Sequence, residues 1–296
     1  MPSTEPKAGL AERLPAPEWL VPQSGAAAGM RLAFRAYPAP RARASILVSH
    51  GFAEHSGWWQ HVAQALQARG LSAFLFDHFH HGLSAGRPAD VPHYDVLAEG
   101  IRCALEQGVL PRGDGAPVVL LGQSNGACAS LFALPGVAHR IRGLVLCSPL
   151  IRLRWVSHWL GPVLACAISR GSPGAYWNLP FDPKKLTSNA EVWPMYAADP
   201  LRFHKISARF YFAMRSASLA VAALTDTRGV PLLLLSAGGE RVVNLGALLR
   251  WYGALRAHDK THLTHPGRQH ELFNEVDWPR AVDEVADWVR ARFPAR

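Results

Sequence analysis

Ser124, Glu240 and His270 are the residues of this chain whose types and setting could together do nucleophilic chemistry. Ser124 sits at the centre of Gly122-Gln123-Ser124-Asn125-Gly126, a G-x-S-x-G pentapeptide. The apolar run Val118 to Leu121 before it predicts a buried strand, and small and apolar residues at helical spacing follow it through Phe132. A chain that must pass from strand to helix in so few residues makes a nucleophile elbow, with the serine hydroxyl exposed at its apex. Gly122 and Gly126 lack the Cβ atoms that would clash in such a turn. The helix N-terminus beneath the serine favours an anion forming there. A Gly/Ser turn without chemistry is the plainer reading of the pentapeptide alone, and the flanking strand and helix argue against it.

A serine hydroxyl is a poor nucleophile near neutral pH and needs a base, and the base must be oriented by an acid. On folds built around a nucleophile elbow, the acid and the histidine follow the serine in that order. Downstream, the strand Leu232 to Ser236 runs into Ala237-Gly238-Gly239-Glu240-Arg241-Val242-Val243, where Glu240 is the carboxylate in the loop. After the last strand comes Pro266-Gly267-Arg268-Gln269-His270-Glu271, which places His270 before the closing helix. A loop Glu is usually solvated and a loop His usually structural, but here each stands at the end of the appropriate strand. Asp226 and Asp259 precede their strands and are poorer acids, and Glu271 is not expected to reach Nδ1 of its neighbour His270. Charge developing on a carbonyl oxygen needs donors. The backbone N–H of Asn125 is one candidate, and that of Phe52, in the turn His50-Gly51-Phe52 that ends another strand, is the second.

The elements that must position these residues follow an alternating rhythm. Arg31 to Tyr37 alternates polar with apolar, as a half-buried strand does. Ile46 to Val48, Ala73 to Phe76, Val118 to Leu121, Gly143 to Cys147, Pro231 to Ser236 and Thr261 to Thr264 predict further strands. Helices are predicted between them, with Trp59, Val62 and Leu66 on one apolar face, then from Val96 to Gln107, and through Leu245, Leu248, Leu249 and Tyr252. A closing helix is expected to be capped by Asp277, with Pro279 in its first turn and Val282, Val285 and Val289 on its apolar side. The pattern predicts an α/β fold, a mostly parallel central sheet covered by helices on both faces. From Leu150 to about Gly229 the rhythm breaks, apart from a helical-looking Thr187 to Tyr196, and a helical cap is expected there. The expected organisation is a loosely ordered lead-in at 1–29, in which only Trp19-Leu20-Val21 packs, core at 30–149, cap at 150–229 and core at 230–296.

With 296 residues, 49% hydrophobic and 18% charged, the chain has ample material for a core. Its formal charge of +9 favours anionic surfaces such as phospholipid headgroups. The basic residues are scattered and carry no nucleic-acid motif, so no nucleic-acid partner is expected. Cys103, Cys128, Cys147 and Cys166 form no C-x-x-C pair and lie among apolar or small residues, as core cysteines do. No secretory signal and no uncharged run of about 18 apolar residues is visible, so a cytoplasmic protein is expected, with peripheral contact at the inner face of a membrane as its lipid-facing variant. His78, His80 and His81 stand close together, but no zinc ligand set accompanies them, and a hydrogen-bonded loop is the expectation there.

With these residues placed, the chain resembles the monoacylglycerol lipase and lysophospholipase branch of the α/β-hydrolase superfamily, which also holds serine aminopeptidase-like members. His50-Gly51-Phe52-Ala53-Glu54-His55-Ser56-Gly57 is similar to that branch's H-G-x-x-E-H-S-x segment, and Asp77 to Ser84 to its D-x-x-G-H-G-x-S loop. His270-Glu271-Leu272-Phe273-Asn274-Glu275 resembles its terminal H-E-x-x-x-E, and in the cap only Leu186-Thr187 matches. Departures are His80 where the family usually has glycine, Gln123-Ser124-Asn125 where His-Ser-Met is common, and Glu240 where most members have aspartate. The resemblance implies a serine hydrolase that cleaves the carboxylic ester of a single-chain lipid, a lysophospholipid or a monoacylglycerol, with no metal or organic cofactor. Ser124 would be the nucleophile, His270 the base, Glu240 the acid, and Phe52 and Asn125 the oxyanion donors. A general carboxylesterase acting on small soluble esters is the alternative, and a non-catalytic hydrolase-like binding protein is the alternative of another class. Trp155, Trp159 and Val163 recur at helical spacing between Arg152, Arg154 and Arg170, which reads as an interfacial lid or as a face packed on the core.

Overall fold

The computed structural model describes residues 15–152, 171–179 and 182–294. The whole stretch read as a lid, with Trp155, Trp159, Val163, Arg154 and Arg170, lies outside them, as does Cys166.

Eight strands form one sheet. In chain order they are β1 (Glu18–Leu20), β2 (Leu32–Tyr37), β3 (Ser45–Ser49), β4 (Ser72–Phe76), β5 (Val118–Gln123), β6 (Gly143–Cys147) and, after the insertion, β9 (Leu232–Ala237) and β10 (Lys260–His265). They lie in the order β1-β2-β4-β3-β5-β6-β9-β10. The first two pairings are antiparallel and the rest are parallel, with Ser49 opposite Gly122, Gln123 opposite Cys147, Cys147 opposite Leu235 and Ala237 opposite His265. Strands buried on both faces read as continuous apolar runs, which is why Ile46-Leu47-Val48 and Leu232 to Leu235 lack polar alternation. Successive residues still point to opposite sides. Leu47, Leu120, Leu144 and Leu234 join one apolar core, whereas Ile46, Val119, Val145 and Leu233 join the other.

Helices cover both faces. α1 (Gln60–Ala68) and the closing helix α7 (Trp278–Arg292) bury Val62, Leu66, Val282, Val285 and Val289 on one side. α2 (Asp95–Cys103), α3 (Asn125–Val137) and α6 (Leu245–Ala254) pack on the other. Asp277 stands at the start of α7 but does not cap it through its side chain; its carboxylate is drawn instead to Arg268, 2.9 Å away.

The lead-in is pinned from Pro15 onward. β1 pairs with β2, Leu20 is buried, and the Ala27 N–H donates to Glu99 at 3.0 Å. The expected loose segment is therefore tied to the core over 15–29, because edge pairing and a buried carboxylate take up its backbone groups. Between β6 and β9 the described part of the insertion holds a two-stranded antiparallel ribbon, β7 (Tyr176–Asn178) with β8 (Lys205–Ser207), and the helices α4 (Trp193–Ala198) and α5 (Ala208–Ala222). The helix expected over Thr187 to Tyr196 begins only at Trp193. Thr187 Oγ1 accepts from the Asn189 N–H and Asn189 Oδ1 from the Glu191 N–H, local bonds that compete with a helical ladder. The insertion is fastened to the core by Arg209, whose Nε donates to Asp90 at 2.6 Å, and by the Ser207 N–H on the Ala89 carbonyl at 2.9 Å.

Candidate active site

The parallel strands end along one edge of the sheet, where open α/β sheets bind ligands. Phe52, Ser124, Glu240 and His270 follow β3, β5, β9 and β10 there. The elbow is as tight as the glycines predict. Ser124 has φ 52° and ψ −115°, a conformation a non-glycine residue holds only when its surroundings impose it. A Cβ on Gly122 would come within 2.5 Å of the Ala127 Cα, and one on Gly126 would run into the carbonyl oxygens of Ser49 and His50. Helix α3 therefore starts directly beneath the serine.

The Ser124 Oγ lies 2.7 Å from His270 Nε2, and His270 Nδ1 lies 2.8 Å from Glu240 Oε2. Glu240 Oε1 accepts the N–H groups of Val242 and Val243 at 2.7 and 3.2 Å. Burial by itself would lower the basicity of His270, but the charge and hydrogen bond of Glu240, with Glu271 and Glu54 behind it, hold it above the ordinary histidine value. Burial likewise opposes ionisation of Glu240, and the His270 charge and the loop N–H groups overcome it and hold the carboxyl below its usual range. This arrangement can pull a proton from the serine and stabilise the imidazolium that results. Glu271, set aside as an acid, turns away to accept from the Asn274 amide at 3.0 Å and from the Tyr196 hydroxyl. Asp259 pairs with Arg292 and Asp226 accepts from the Arg228 N–H, both away from the histidine.

Asn125 opens α3, so its N–H is among those a helix leaves without an internal partner. The Phe52 N–H has no hydrogen-bond partner among the described residues. The turn that carries it is shaped by Glu54, whose Oε2 accepts the Gly51 N–H at 2.7 Å.

The unusual elbow residues have partners of their own. Gln123 donates through Nε2 to the His270 carbonyl at 3.0 Å, tying the end of β5 to the histidine loop. Asn125 is held by the Tyr94 hydroxyl, 2.8 Å from its Oδ1. His80 has φ 65°, the left-handed region that explains glycine as the usual family choice there. His80 Nδ1 donates to the Arg87 carbonyl at 3.1 Å. The histidine-rich loop is held by a set of hydrogen bonds, although the buried His78 Nδ1 and His81 Nε2 take no part in it. Asp77 accepts the Ser56 and Leu83 N–H groups at 2.7 and 2.8 Å, and the Ser84 hydroxyl donates back to the Asp77 carbonyl. His50 Nδ1 donates to the Gly51 carbonyl, which leaves its Nε2 to accept from the His78 N–H at 2.9 Å. Desolvation drives His78 and His81 well below the ordinary histidine value. No group of three or more ligating side chains suited to a metal occurs among the described residues.

Sequence reasoning missed the residues beneath this site. Tyr196, Asp199 and Arg202 from the insertion meet Glu54, His55, Trp58 and Glu271 of the core in one buried polar cluster. Only the H-G-x-x-E-H and H-E stretches hinted at it, through acids with no other task.

A family model described as "Serine aminopeptidase, S33" matches residues 40–277. A monoacylglycerol lipase of Mycolicibacterium smegmatis is 28% identical to the chain over 280 residues, covering 88% of it and 93% of the relative. Human monoglyceride lipase is also 28% identical, over 86% of this chain and 85% of its own. A soluble variant of monoglyceride lipase from Saccharomyces cerevisiae, solved in complex with a substrate analogue, superposes with a TM-score of 0.81 at 18% identity, covering 95% and 97% of the two chains. That last likeness speaks to the fold.

Proposed function

Because the chain belongs to the serine aminopeptidase S33 family and has an α/β-hydrolase fold, we propose that this carboxylic ester hydrolase cleaves a single-chain lipid, a lysophospholipid or a monoacylglycerol, through an acyl-enzyme on Ser124. The observation that carries the reading is the unbroken chain from Ser124 Oγ through His270 to Glu240, at 2.7 and 2.8 Å. The names of the relatives support a glyceride ester as substrate.

In this mechanism His270 Nε2 takes the hydroxyl proton as Ser124 Oγ attacks the ester carbonyl carbon. Glu240 holds the imidazole by Nδ1 and supports its charge. The oxyanion meets the N–H groups of Phe52 and Asn125. Collapse breaks the bond to the alcohol, which leaves with the proton from His270 and an acyl ester on Ser124. Water, deprotonated by His270, then attacks that ester; the fatty acid departs and Ser124 recovers its proton. The chemistry calls for no metal or organic cofactor.

Delivery of the lipid by peripheral contact with an anionic membrane surface, in a cytoplasmic setting, belongs to the same reading and draws on the net charge of +9. Among the described residues no helix is long and apolar enough to cross a membrane.

A panel of lysophospholipids, monoacylglycerols and short soluble esters, run with native protein and Ser124→Ala side by side, tests the proposal. Turnover of the lipids, lost in Ser124→Ala together with labelling by a fluorophosphonate, is expected. Turnover of short esters alone would replace the lipid substrate by a small soluble one, and unlabelled, inactive native protein would point to a binding module.

A further inference from the structure

Two carboxylates flank the reacting groups from below without touching them. Glu54 holds the turn that presents the Phe52 N–H, through its bond to the Gly51 amide. Glu271 follows His270 directly, and its backbone N–H donates to the Leu186 carbonyl of the insertion at 2.7 Å. Both are buried, with 1% and 5% exposure, and each lies within the other's field. Two acids so enclosed repel strongly wherever both are ionised and would then push the oxyanion turn and the histidine loop apart.

The guanidinium that faces both comes from the insertion. Arg202, its side chain 1% exposed, lies 3.6 Å from Glu271 Oε1, and its field acts on Glu54 as well. Its Cζ lies over the rings of Tyr196 and Trp58, 4.1 and 5.2 Å from their centroids. The turn that carries it begins at Asp199, whose Oδ2 accepts from His55 Nε2 and from Trp58 Nε1, each at 2.7 Å. The cation is therefore built into a seat that exists only where insertion and core meet.

We infer that Arg202 is a positioning residue: seated in the cap, it balances Glu54 and Glu271 and so holds the oxyanion turn and the His270 loop in register. Catalytic geometry then depends on the cap being docked. This rests on His270 being the base that serves Ser124. The groups that face His270 are Glu240, Glu271 and Glu54, while Arg202 faces Glu271, Glu54, Tyr196 and Asp199. Arg202 also acts on His50 and His204, and its inferred route to the base runs through the two acids.

The test follows kcat, KM and the acidic limb of kcat/KM on one ester. Arg202→Met should lower kcat by roughly 10- to 100-fold with a smaller change in KM, as small misplacements of reacting groups do. It should also move the acidic limb to higher pH, because the unbalanced acids favour the imidazolium. Arg202→Lys should recover part of kcat, and Arg202→Met with Glu271→Gln should bring the limb back. Arg209→Met, which breaks the other cap anchor at Asp90, is the control. It should lower thermal stability and leave the limb in place. If Arg202→Met behaves as Arg209→Met does, the inference is overturned. Should Arg202→Met not fold, Arg202→Gln takes its place: the limb should move to higher pH with a loss of kcat, and an unmoved limb overturns the inference. Ser124→Ala is run alongside. Retained turnover in that variant would refute the serine mechanism itself, whereas lost turnover with an unmoved limb in the other variants would refute only the role of Arg202.

Discussion

At the scale of single residues, Ser124 and His270 are expected to act as one unit. Ser124→Ala and His270→Ala should each lower kcat by several orders of magnitude, up to about 10⁶-fold as in other triads, and the double variant should be little worse than either. Additive losses in single-turnover assays would mean that the two do not share a mechanism. Glu240 has a separable signature. The neighbouring negative charge holds His270 above the ordinary histidine value despite burial. Because the base works only when neutral, activity should fall as pH drops through that raised value. Glu240→Gln should therefore lower kcat by about 10³- to 10⁴-fold and also move the acidic limb to lower pH. Glu240→Asp, one methylene short, should lie between. A native pH profile in Glu240→Gln would exclude Glu240 as the acid.

At the scale of elements, the strand–elbow–helix unit and the two loops at the sheet edge share the alignment. The elbow tolerates no Cβ at Gly126, since the atoms it would strike are backbone oxygens of β3 and the following turn. Gly126→Ala should cost about 1–3 kcal/mol or more, read as a lower denaturation midpoint, and lose activity along with stability. A fully stable, active Gly126→Ala would mean that the elbow is looser than described. The histidine loop is bracketed by the segment after Leu186. Thr187 donates to the Asn274 carbonyl at 2.9 Å, and Glu275 accepts from Ser188 and from the Gln269 N–H. This accounts for Leu186-Thr187 being the stretch of the insertion with a family-like sequence. It also gives the second acid of H-E-x-x-x-E a structural task.

At the scale of the whole molecule, the junction of cap and core carries a pH-dependent cost. Burial, followed by the charge of Glu271, pushes the Glu54 carboxyl up to about 7. A group whose folded value is raised contributes stability that is whole below its unfolded value and is lost as pH rises toward the folded one. Between about pH 4.5 and 7 the unfolded chain releases this proton while the folded chain keeps it. Glu54→Gln removes the penalty while keeping an oxygen for the Gly51 N–H. It should therefore match the native melting temperature near pH 5 and exceed it near pH 8, by about 1–3 kcal/mol in stability. Equal melting temperatures at both values would show that Arg202 keeps Glu54 ionised throughout.

Local patterns determined the sheet from β2 onward, the elbow and the three loops that end on the same edge; β1 lay in the expected lead-in and was not foreseen. Burial on both faces writes itself as apolar runs, and a strand-to-helix turn demands glycine, so both can be read without partners. Ser124, Glu240 and His270 were legible because each follows a strand in the appropriate chain order, and the structure brings them into one hydrogen-bonded line. Other features depended on who meets whom. Thr187 to Val192 has helical composition, but its own side chains satisfy its backbone as turns. Asp277 looks like a helix cap and pairs with Arg268 instead, a partner nine residues before it. The Arg202 cluster was invisible because it joins residues far apart in the chain, 144 positions for His55 and Asp199, and no local periodicity marks an arginine that will be desolvated between two acids. Charge pairing across an interface is decided by packing, and only the tertiary structure decided it here.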